Sequence, residues 1–410
     1  MKKSKRVLWV IGGGSLQIPI IEEAKKLGLA TLVTDMSSKC VAKAHADYFY
    51  PVDIFDVAGN VDLLFRLKHF DGLDIVGVLA AGIDANITAA VLARIAGLPG
   101  VDPQAAYVTH HKPAFRKFLT EHKLPCPLYE EVATLNEAHR AVKKIGIPFI
   151  IKNIDNSASQ GTRKFFSIPS GPLLKKALAA ARNASTSKTA LIEEVLFGLE
   201  QTVESLYDVH GVFHKCFITD RPFDPKSEWA VEIGLRHPTS LPPATQRKLY
   251  ALTKKTADLL GITIGAAKAD MILTKKGPVM LEMTTRLSGG FDCQYLVPAA
   301  TGKNVLRAAI LTAIGKTFPK KLLTDTKHRI GITGSVWPKP GKIVSIKGLA
   351  QARRIRGVEH IFFRRVVGDI VSPYIDGTSR VCFIIVTGKD EAEARATLEK
   401  AQKAITVVTK

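Results

Sequence analysis

The sequence predicts a mixed architecture: a parallel α/β unit at the N-terminus, an α+β middle, and a small α+β unit at the C-terminus. Three observations predict it. Apolar, strand-like runs alternate with helical segments through the first hundred residues, the pattern of a parallel sheet. After Pro99-Gly100 the alternation gives way to helices and short paired strands. The last ninety residues carry three short strands and one helix.

Residues 7–11 read as a buried strand and 18–27 as a helix ended by Gly28. Strands follow at 31–35, 48–52 and 75–80, and a helix at 85–95 closed by Gly97. The turn Gly12-Gly13-Gly14-Ser-Leu-Gln17, with Asp35 about 20 residues on, imitates a dinucleotide fingerprint. Gln17 stands where the third glycine belongs, so a substrate loop at the sheet's carboxyl edge competes with NAD or FAD binding. A helix is expected over 105–120, containing Lys112. Then come a helix at 135–145, a strand at 148–152, a polar loop, a strand at 164–168 and a helix at 173–183. Strands resume at 190–196 and 201–207, followed by a helix at 247–260, a hairpin, and a helix at 304–314. The final strands are expected near 342–346, 361–367 and 381–386, with a helix over 391–404. No internal repeat or low-complexity tract appears.

The 410 residues, 46% hydrophobic and 23% charged, describe a globular protein with a substantial core. Lys and Arg outnumber Asp and Glu by 58 to 37, a net charge of +21. The basic residues are dispersed, without a long Lys/Arg run or an RNA-binding aromatic motif, so anionic small molecules are favoured over nucleic acid. The cysteines Cys40, Cys126, Cys216, Cys293 and Cys382 have neither disulfide-framework nor zinc spacing, which points to free thiols in a reducing compartment. No run approaches the ~20 apolar residues of a membrane span, and 7–11 is too short for a signal-peptide core. A cytoplasmic location without membrane association is expected.

The chemistry concentrates in the segment from Asp270 to Glu282. Two apolar runs, 271–273 and 279–281, flank Lys275-Lys276-Gly277-Pro278, a turn signal. A turn centred near Lys276 sets the two carboxylates opposite one another on one face. Like charges across strands repel, so a cation between them would relieve the arrangement, and Mg²⁺ takes such oxygen ligands together with water and phosphates. Two exposed acids on a surface hairpin are the competing reading. Arg286 and Gly289-Gly290 follow closely. Upstream, Lys152 ends an apolar strand and precedes a loop holding Ser157, Ser159, Gly161 and Thr162. Hydroxyls, glycine-assisted backbone and a lysine can together grip phosphate oxygens, although the P-loop pattern is missing. An ordinary solvated loop remains the alternative. Finally, Glu193, Glu194, Val195 and Leu196 end a strand before Gly198 and Glu200, where backbone groups could pair with an adenine edge and a carboxylate with ribose hydroxyls.

The order Lys112, Lys152 with its Ser/Gly loop, Glu193 to Glu200, Asp270, Glu282 and Arg286 resembles the ATP-grasp superfamily over nearly the whole chain. The resemblance is to its carboxylate–amine ligase branch, with a layout like biotin carboxylase and carbamoyl-phosphate synthetase. It implies a pre-ATP-grasp domain over 1–100, an ATP-grasp domain over 101–320 with a mobile lid at about 124–190, and a C-terminal domain over 321–410. It further implies ATP and Mg²⁺ as cofactors, with Mn²⁺ as a substitute. Lys112 and Lys152 would contact the phosphates beneath a loop of Ser157, Ser159, Gly161 and Thr162. Glu193, with Glu194, Val195 and Leu196, would hold adenine, and Glu200 the ribose. Asp270 and Glu282 would bind metal. Thr284 stands where the superfamily commonly has an asparagine ligand, which puts a second metal in doubt. Arg286, with Lys152, would carry the catalytic charge.

The activity implied is ATP-dependent joining of a carboxylate to an amine, or to a thiol, through an acyl phosphate, with release of ADP and phosphate. The partners implied are small-molecule substrates, with no nucleic acid and no membrane. A homodimer is compatible with the resemblance, but no residue selects it. A bicarbonate-using carboxylase of the biotin carboxylase type is one alternative, weakened by the single Gly161 in the loop. A non-catalytic nucleotide- or RNA-binding protein is another, and a nicotinamide-dependent dehydrogenase leaves the acidic hairpin unexplained. His237 and Asp292 are candidates for the substrate cleft, with a structural role favoured for His237. Arg353, Arg354, Arg364 and Arg365 are either a subsite for a polyanionic substrate or a solvated face.

Overall fold

The computed structural model describes residues 5–155, 159–223 and 227–410. Its first sheet follows from chain hydropathy. Strand β1 (Arg6–Ile11) is buried on both faces, because Val7, Trp9 and Ile11 meet one apolar cluster and Leu8 and Val10 another. It pairs in parallel with β2 (Ala30–Thr34) and β4 (Asp74–Leu79), and β3 (Tyr48–Tyr50) extends the far side, giving the order β3-β2-β1-β4. Helices α1 (Ile18–Lys26) and α2 (Val57–His69) supply crossovers, as the βαβ rule requires, and α3 (Asn86–Ala96) follows β4 and packs against the sheet. The glycine turn after β1 has an internal explanation. Gly13 N–H donates to Asp35 Oδ2 at 2.8 Å, and a Cβ on Gly13 would lie 2.3 Å from Cys40 Sγ. Asp35 thus serves the turn itself.

The expected helix over 105–120 is instead two helices, α4 (Pro103–His110) and α5 (Lys112–Glu121). Pro113 lacks the N–H needed to continue α4 but is well suited to a first turn. His111, extended at φ −94° and ψ 103°, caps α5 by accepting from Ala114 N–H. The break makes Lys112 the first residue of a helix aimed at the next subdomain.

That subdomain is a four-stranded antiparallel sheet in the order β5-β8-β6-β7. Its strands are β5 (Tyr129–Val132), β6 (Phe149–Lys152), β7 (Arg163–Phe165) and β8 (Ala190–Glu194). Helices α6 (Leu135–Ile145) and α7 (Gly171–Asn183) cover it, α6 starting from a Thr134–Glu137 capping box. Its apolar cluster, including Phe149, Ile151 and Leu178, draws on no residue outside the subdomain.

The largest sheet has nine strands. Strands β9 (Leu199–Tyr207), β10 (Phe213–Arg221), β11 (Leu235–His237), β12 (Gly265–Ala266), β13 (Lys268–Thr274) and β14 (Gly277–Thr284) come from the middle of the chain. Helix α8 (Pro243–Leu259) covers one face, packing Leu249 and Leu252 with Met271 and Met280. A π-helical turn (Asp292–Leu296), α9 (Val297–Thr301) and α10 (Val305–Ala313) follow, and Leu306, Ala309 and Ile310 of α10 join the cluster beneath the N-terminal sheet.

The C-terminal strands continue the same sheet. The path β14-β13-β9-β10-β11-β15-β19-β17 runs on through β15 (Ile330–Gly334), β17 (Val358–Phe363) and β19 (Cys382–Gly388). A separate three-stranded sheet has the order β18-β16-β20, from β16 (Gly341–Lys347), β18 (Ile370–Val371) and β20 (Thr406–Thr409). Helices α11 (Leu349–Arg353) and α12 (Glu391–Ala404) complete the chain. β10, β11 and β15, absent from the sequence-based expectation, bridge the middle and the end of the molecule. Among the described residues no helix is long and apolar enough to cross a membrane, and all five cysteines are free.

Candidate nucleotide and metal site

Thr274 pairs with Gly277 at the hairpin turn, and a bulge between Asp270 and Met271 shifts the register by one residue so that Glu282 comes opposite Asp270. Thr274 closes the turn, its hydroxyl donating to Gly277 O at 2.9 Å and accepting from Lys276 N–H. Asp270 pairs with Glu282, and Lys268 with Thr284, so all four side chains share one face of β13–β14. The β9 register adds Thr202 and Glu200, and β10 adds Arg221, to that same face.

Asp270 is buried and surrounded by donors. Lys268 Nζ lies 2.5 Å and Arg221 Nη1 2.9 Å from Oδ2, while the Thr202 hydroxyl donates to Oδ1 at 2.8 Å. Burial alone would raise its pKa, but Arg221 and Lys268 hold the carboxyl well below the usual range. Glu282 is looser, 40% exposed, with Lys112 Nζ 3.6 Å away. Lys112 also reaches the loop after β6, donating to Asn153 Oδ1 and Ile154 O at 3.4 Å, while its backbone N–H donates to Ile154 O at 3.2 Å.

Lys152, at the end of β6, sits 2.5 Å from Glu193 Oε2, and Arg116 Nε of α5 donates to Glu193 Oε1 at 2.5 Å. Glu193 is 1% exposed. Burial opposes its charge, yet Arg116 and Lys152 bring its pKa down to about 2. The sequence reading missed Arg116. Its signal was positional, because residues 112, 115, 116 and 119 form the inward stripe of α5 and Arg116 is wholly buried there.

In the loop after Lys152, Ser157 lies outside the described residues. Ser159 and Gly161 both take left-handed backbone, at φ 56° and 65°, and a Cβ on Gly161 would approach Ala180 O to 2.6 Å. Thr162 is buried at the base of the loop, its N–H donating to Ser159 O. At the end of β8, Glu194 Oε1 accepts from Leu128 N–H, and Val195 N–H donates to Pro148 O. Leu196 is half-buried, and Phe197 beyond it is 57% exposed, an aromatic surface between β8 and β9. Gly198 then passes so close to the acidic hairpin that a Cβ would lie 2.1 Å from Leu273 O. Glu200 follows on β9; burial raises its pKa and Arg221 opposes the rise.

Arg286 is held by an acid from the N-terminal unit. Its Nη2 and Nε donate to Asp84 Oδ1 at 2.7 and 3.2 Å, and Nη1 donates to Leu287 O. Asp84, also unrecognised in the sequence, lies just beyond the carboxyl end of β4, the edge of a parallel sheet where ligands gather. Gly82 N–H donates to Leu287 O, and the Asn86 amide donates to Thr285 Oγ1, stitching the two units together around Arg286. Thr284 Oγ1 turns along its own strand toward Arg286 O at 3.5 Å.

The remaining candidates lie apart. His237 is 2% exposed, and burial lowers its pKa to about 4. Asp292 is buried, accepts from Thr219 Oγ1 at 3.0 Å, and is pushed well above the carboxylate range by burial. Arg353, Arg354 and Arg364 are exposed.

The two facing acids provide oxygen ligands, and among the described residues no cluster of three or more His, Cys, Asp or Glu forms. A donor set of this kind fits an ion completed by phosphate oxygens and water, as Mg²⁺ prefers.

Comparison with known proteins shows which chains share this fold. The structure superposes on an L-amino acid ligase from Bacillus licheniformis with a TM-score of 0.82 and 20% identity, covering 100% of both chains. The likeness is one of fold. Residues 336–410 also match the family profile of the L-amino acid ligase C-terminal domain 2. Human carnosine synthase 1 is 23% identical over 430 residues, covering 97% of this chain and 50% of that protein. The D-alanine–D-alanine ligase of Aromatoleum aromaticum is 30% identical over 179 residues, 43% of this chain and 55% of that protein. The chain therefore spans about half the length of these two relatives.

Proposed function

We propose that this chain is an ATP-dependent ligase of the ATP-grasp kind that activates a carboxylate as its acyl phosphate and passes the acyl group to an amine. One observation carries the reading: Lys112 touches both the loop after Lys152 and Glu282 of the acidic hairpin. Three segments far apart in sequence thereby converge where a triphosphate would lie. Phosphoryl transfer asks mainly for positioning and charge neutralisation, and this site is built from groups that do both.

Lys112 and Lys152 bind the phosphates, with Ser159 and the Gly161 backbone folding over them. Glu193 positions Lys152 from beneath, because both its oxygens are engaged. The strand end at Glu194 to Leu196 and the exposed Phe197 face the base, and Glu200 takes the ribose. A magnesium ion bound by Asp270 and Glu282 would neutralise β- and γ-phosphate charge. Arg286, oriented by Asp84, faces the carboxylate and then the oxyanion formed when the amine attacks. The attacking carboxylate oxygen forms the bond to phosphorus as the bond to ADP breaks. The amine then forms the C–N bond as phosphate leaves with that oxygen, and closure of the lid keeps water from the acyl phosphate.

The names of two relatives, an L-amino acid ligase and a D-alanine–D-alanine ligase, make amino acids the first compounds to screen. The test is phosphate release from Mg²⁺-ATP across pairs of amino acids and small carboxylates. At least one pair should release phosphate together with ADP and a condensed product, and Glu282→Gln should abolish the signal. Equal turnover by that variant would contradict the metal assignment.

A further inference from the structure

The proposed nucleotide-metal site contains a feature that the ligase reading leaves unexplained: a buried lysine on the acid that should bind metal. Lys268 is 7% exposed, lies two residues before Asp270 on the same strand face, and places its Nζ 2.5 Å from Oδ2. Its cross-strand partner is Thr284, two residues beyond Glu282. We propose that this site takes a single divalent ion and that the Lys268 ammonium occupies the position of a second. The inference rests on reading Asp270 and Glu282 as metal ligands and adds the stoichiometry and the residue that sets it.

Counting lone pairs gives the first argument. A carboxylate offers about four acceptor directions. On Asp270, Lys268 and Arg221 use both directions at Oδ2, and Thr202 uses one at Oδ1. One direction at Oδ1 remains, enough for one metal contact and too few for two ions to share the group.

Charge gives the second. A second dication beside Asp270 would be repelled by both the ammonium and the guanidinium. Arg221 cannot easily retreat, since its Nε also donates to Glu232 Oε2 at 2.8 Å. The third argument is the donor at position 284. Thr284 is a neutral hydroxyl directed along its own strand, with no second oxygen or amide to offer an ion. With one N–H donated to Asp270, the Lys268 ammonium supplies one positive charge and two donors for phosphate oxygens, a compact substitute for a metal that needs no free ion from solution.

The experiment is Mn²⁺ binding in the presence of the non-hydrolysable analogue AMP-PNP, by equilibrium dialysis with electron paramagnetic resonance as the second readout. The wild-type chain should retain a single Mn²⁺ with no spin coupling. Lys268→Arg should do the same, and Lys268→Met should admit a second, coupled ion. The paired variant Lys268→Asn/Thr284→Asn should also take two, which keeps the test decisive if Lys268→Met fails to fold. Two ions on the wild type would overturn the proposal, as would a single ion on variants that still bind AMP-PNP. Wild-type protein that binds AMP-PNP but retains no Mn²⁺ would refute the metal reading itself, a different result from a wrong stoichiometry.

Discussion

At Glu193 a single carboxylate joins the helix that opens the middle of the chain to the lid lysine that would meet phosphate. Removing it leaves Arg116 and Lys152 facing each other without compensation, so Glu193→Ala should destabilise the chain by about 3–5 kcal/mol, measured by denaturant unfolding. Lys152→Ala should weaken ATP binding by at least about tenfold, or 1.4 kcal/mol, in a calorimetric titration. Glu204, beneath Arg286, titrates differently. Burial pushes its pKa up to about 7, although it accepts from Ser288 N–H at 2.8 Å. Its folded pKa lies above its unfolded value, so the protonated form contributes stability below pH 4.5 that is lost as pH rises through 7. Thermal melts should therefore show Glu204→Gln matching wild type near pH 4.5, exceeding it increasingly between pH 4.5 and 7, and holding a steady advantage above that. A constant difference would contradict this account. At this scale the acidic hairpin was legible from its turn residues, but the pairing of Asp270 with Glu282 depends on a bulge beside Met271 that no turn residue announces. The partners Arg116 and Asp84 were not legible, since each meets its charge across 77 or 202 residues of chain and nothing local announces it.

Among elements, the β5–β8 subdomain is the one the proposed function requires to move. Its apolar cluster is self-contained, and it meets the segment after β10 through polar contacts: Lys164 N–H to Glu228 O at 2.7 Å, and Arg163 to Glu228 at 2.6 Å. Contacts of this kind open at low cost compared with shared apolar surface. Hydrogen exchange should slow in 149–165 when Mg²⁺-AMP-PNP is added, while the buried strand β1 stays unchanged. Lys112→Ala should reduce that protection, because Lys112 is the link between the loop and the opposite wall. Strands β6, β7 and β8 and helices α6 and α7 of this subdomain were readable from hydropathy, whereas the short β5 was not expected. The break between α4 and α5 depended on one proline, which the apolar periodicity on either side obscured.

Across the whole molecule, charge and sheet both run from the metal acid into the C-terminal region. Asp270 holds Arg221, Arg221 holds Glu232, and Glu232 meets Arg380, which is 6% exposed and stacks over Phe383. Arg380→Ala should lower kcat by about tenfold, 1.4 kcal/mol, with Arg380→Lys recovering part of it; unchanged kcat would show that the chain of charges stops at Arg221. The shift after Pro99-Gly100 and the short strands near the end were visible in the sequence. The continuity of the sheet was not visible, because β11 and β15 pair across almost a hundred residues and each is short. The central claim is that a carboxylate oxygen attacks phosphorus in the cleft between lid and hairpin. It is tested most directly by supplying the ¹⁸O-labelled carboxylate substrate with Mg²⁺-ATP and the amine, and analysing the released phosphate by mass spectrometry. The account predicts one ¹⁸O in inorganic phosphate, formed with ADP; unlabelled phosphate, or AMP with pyrophosphate, would contradict it.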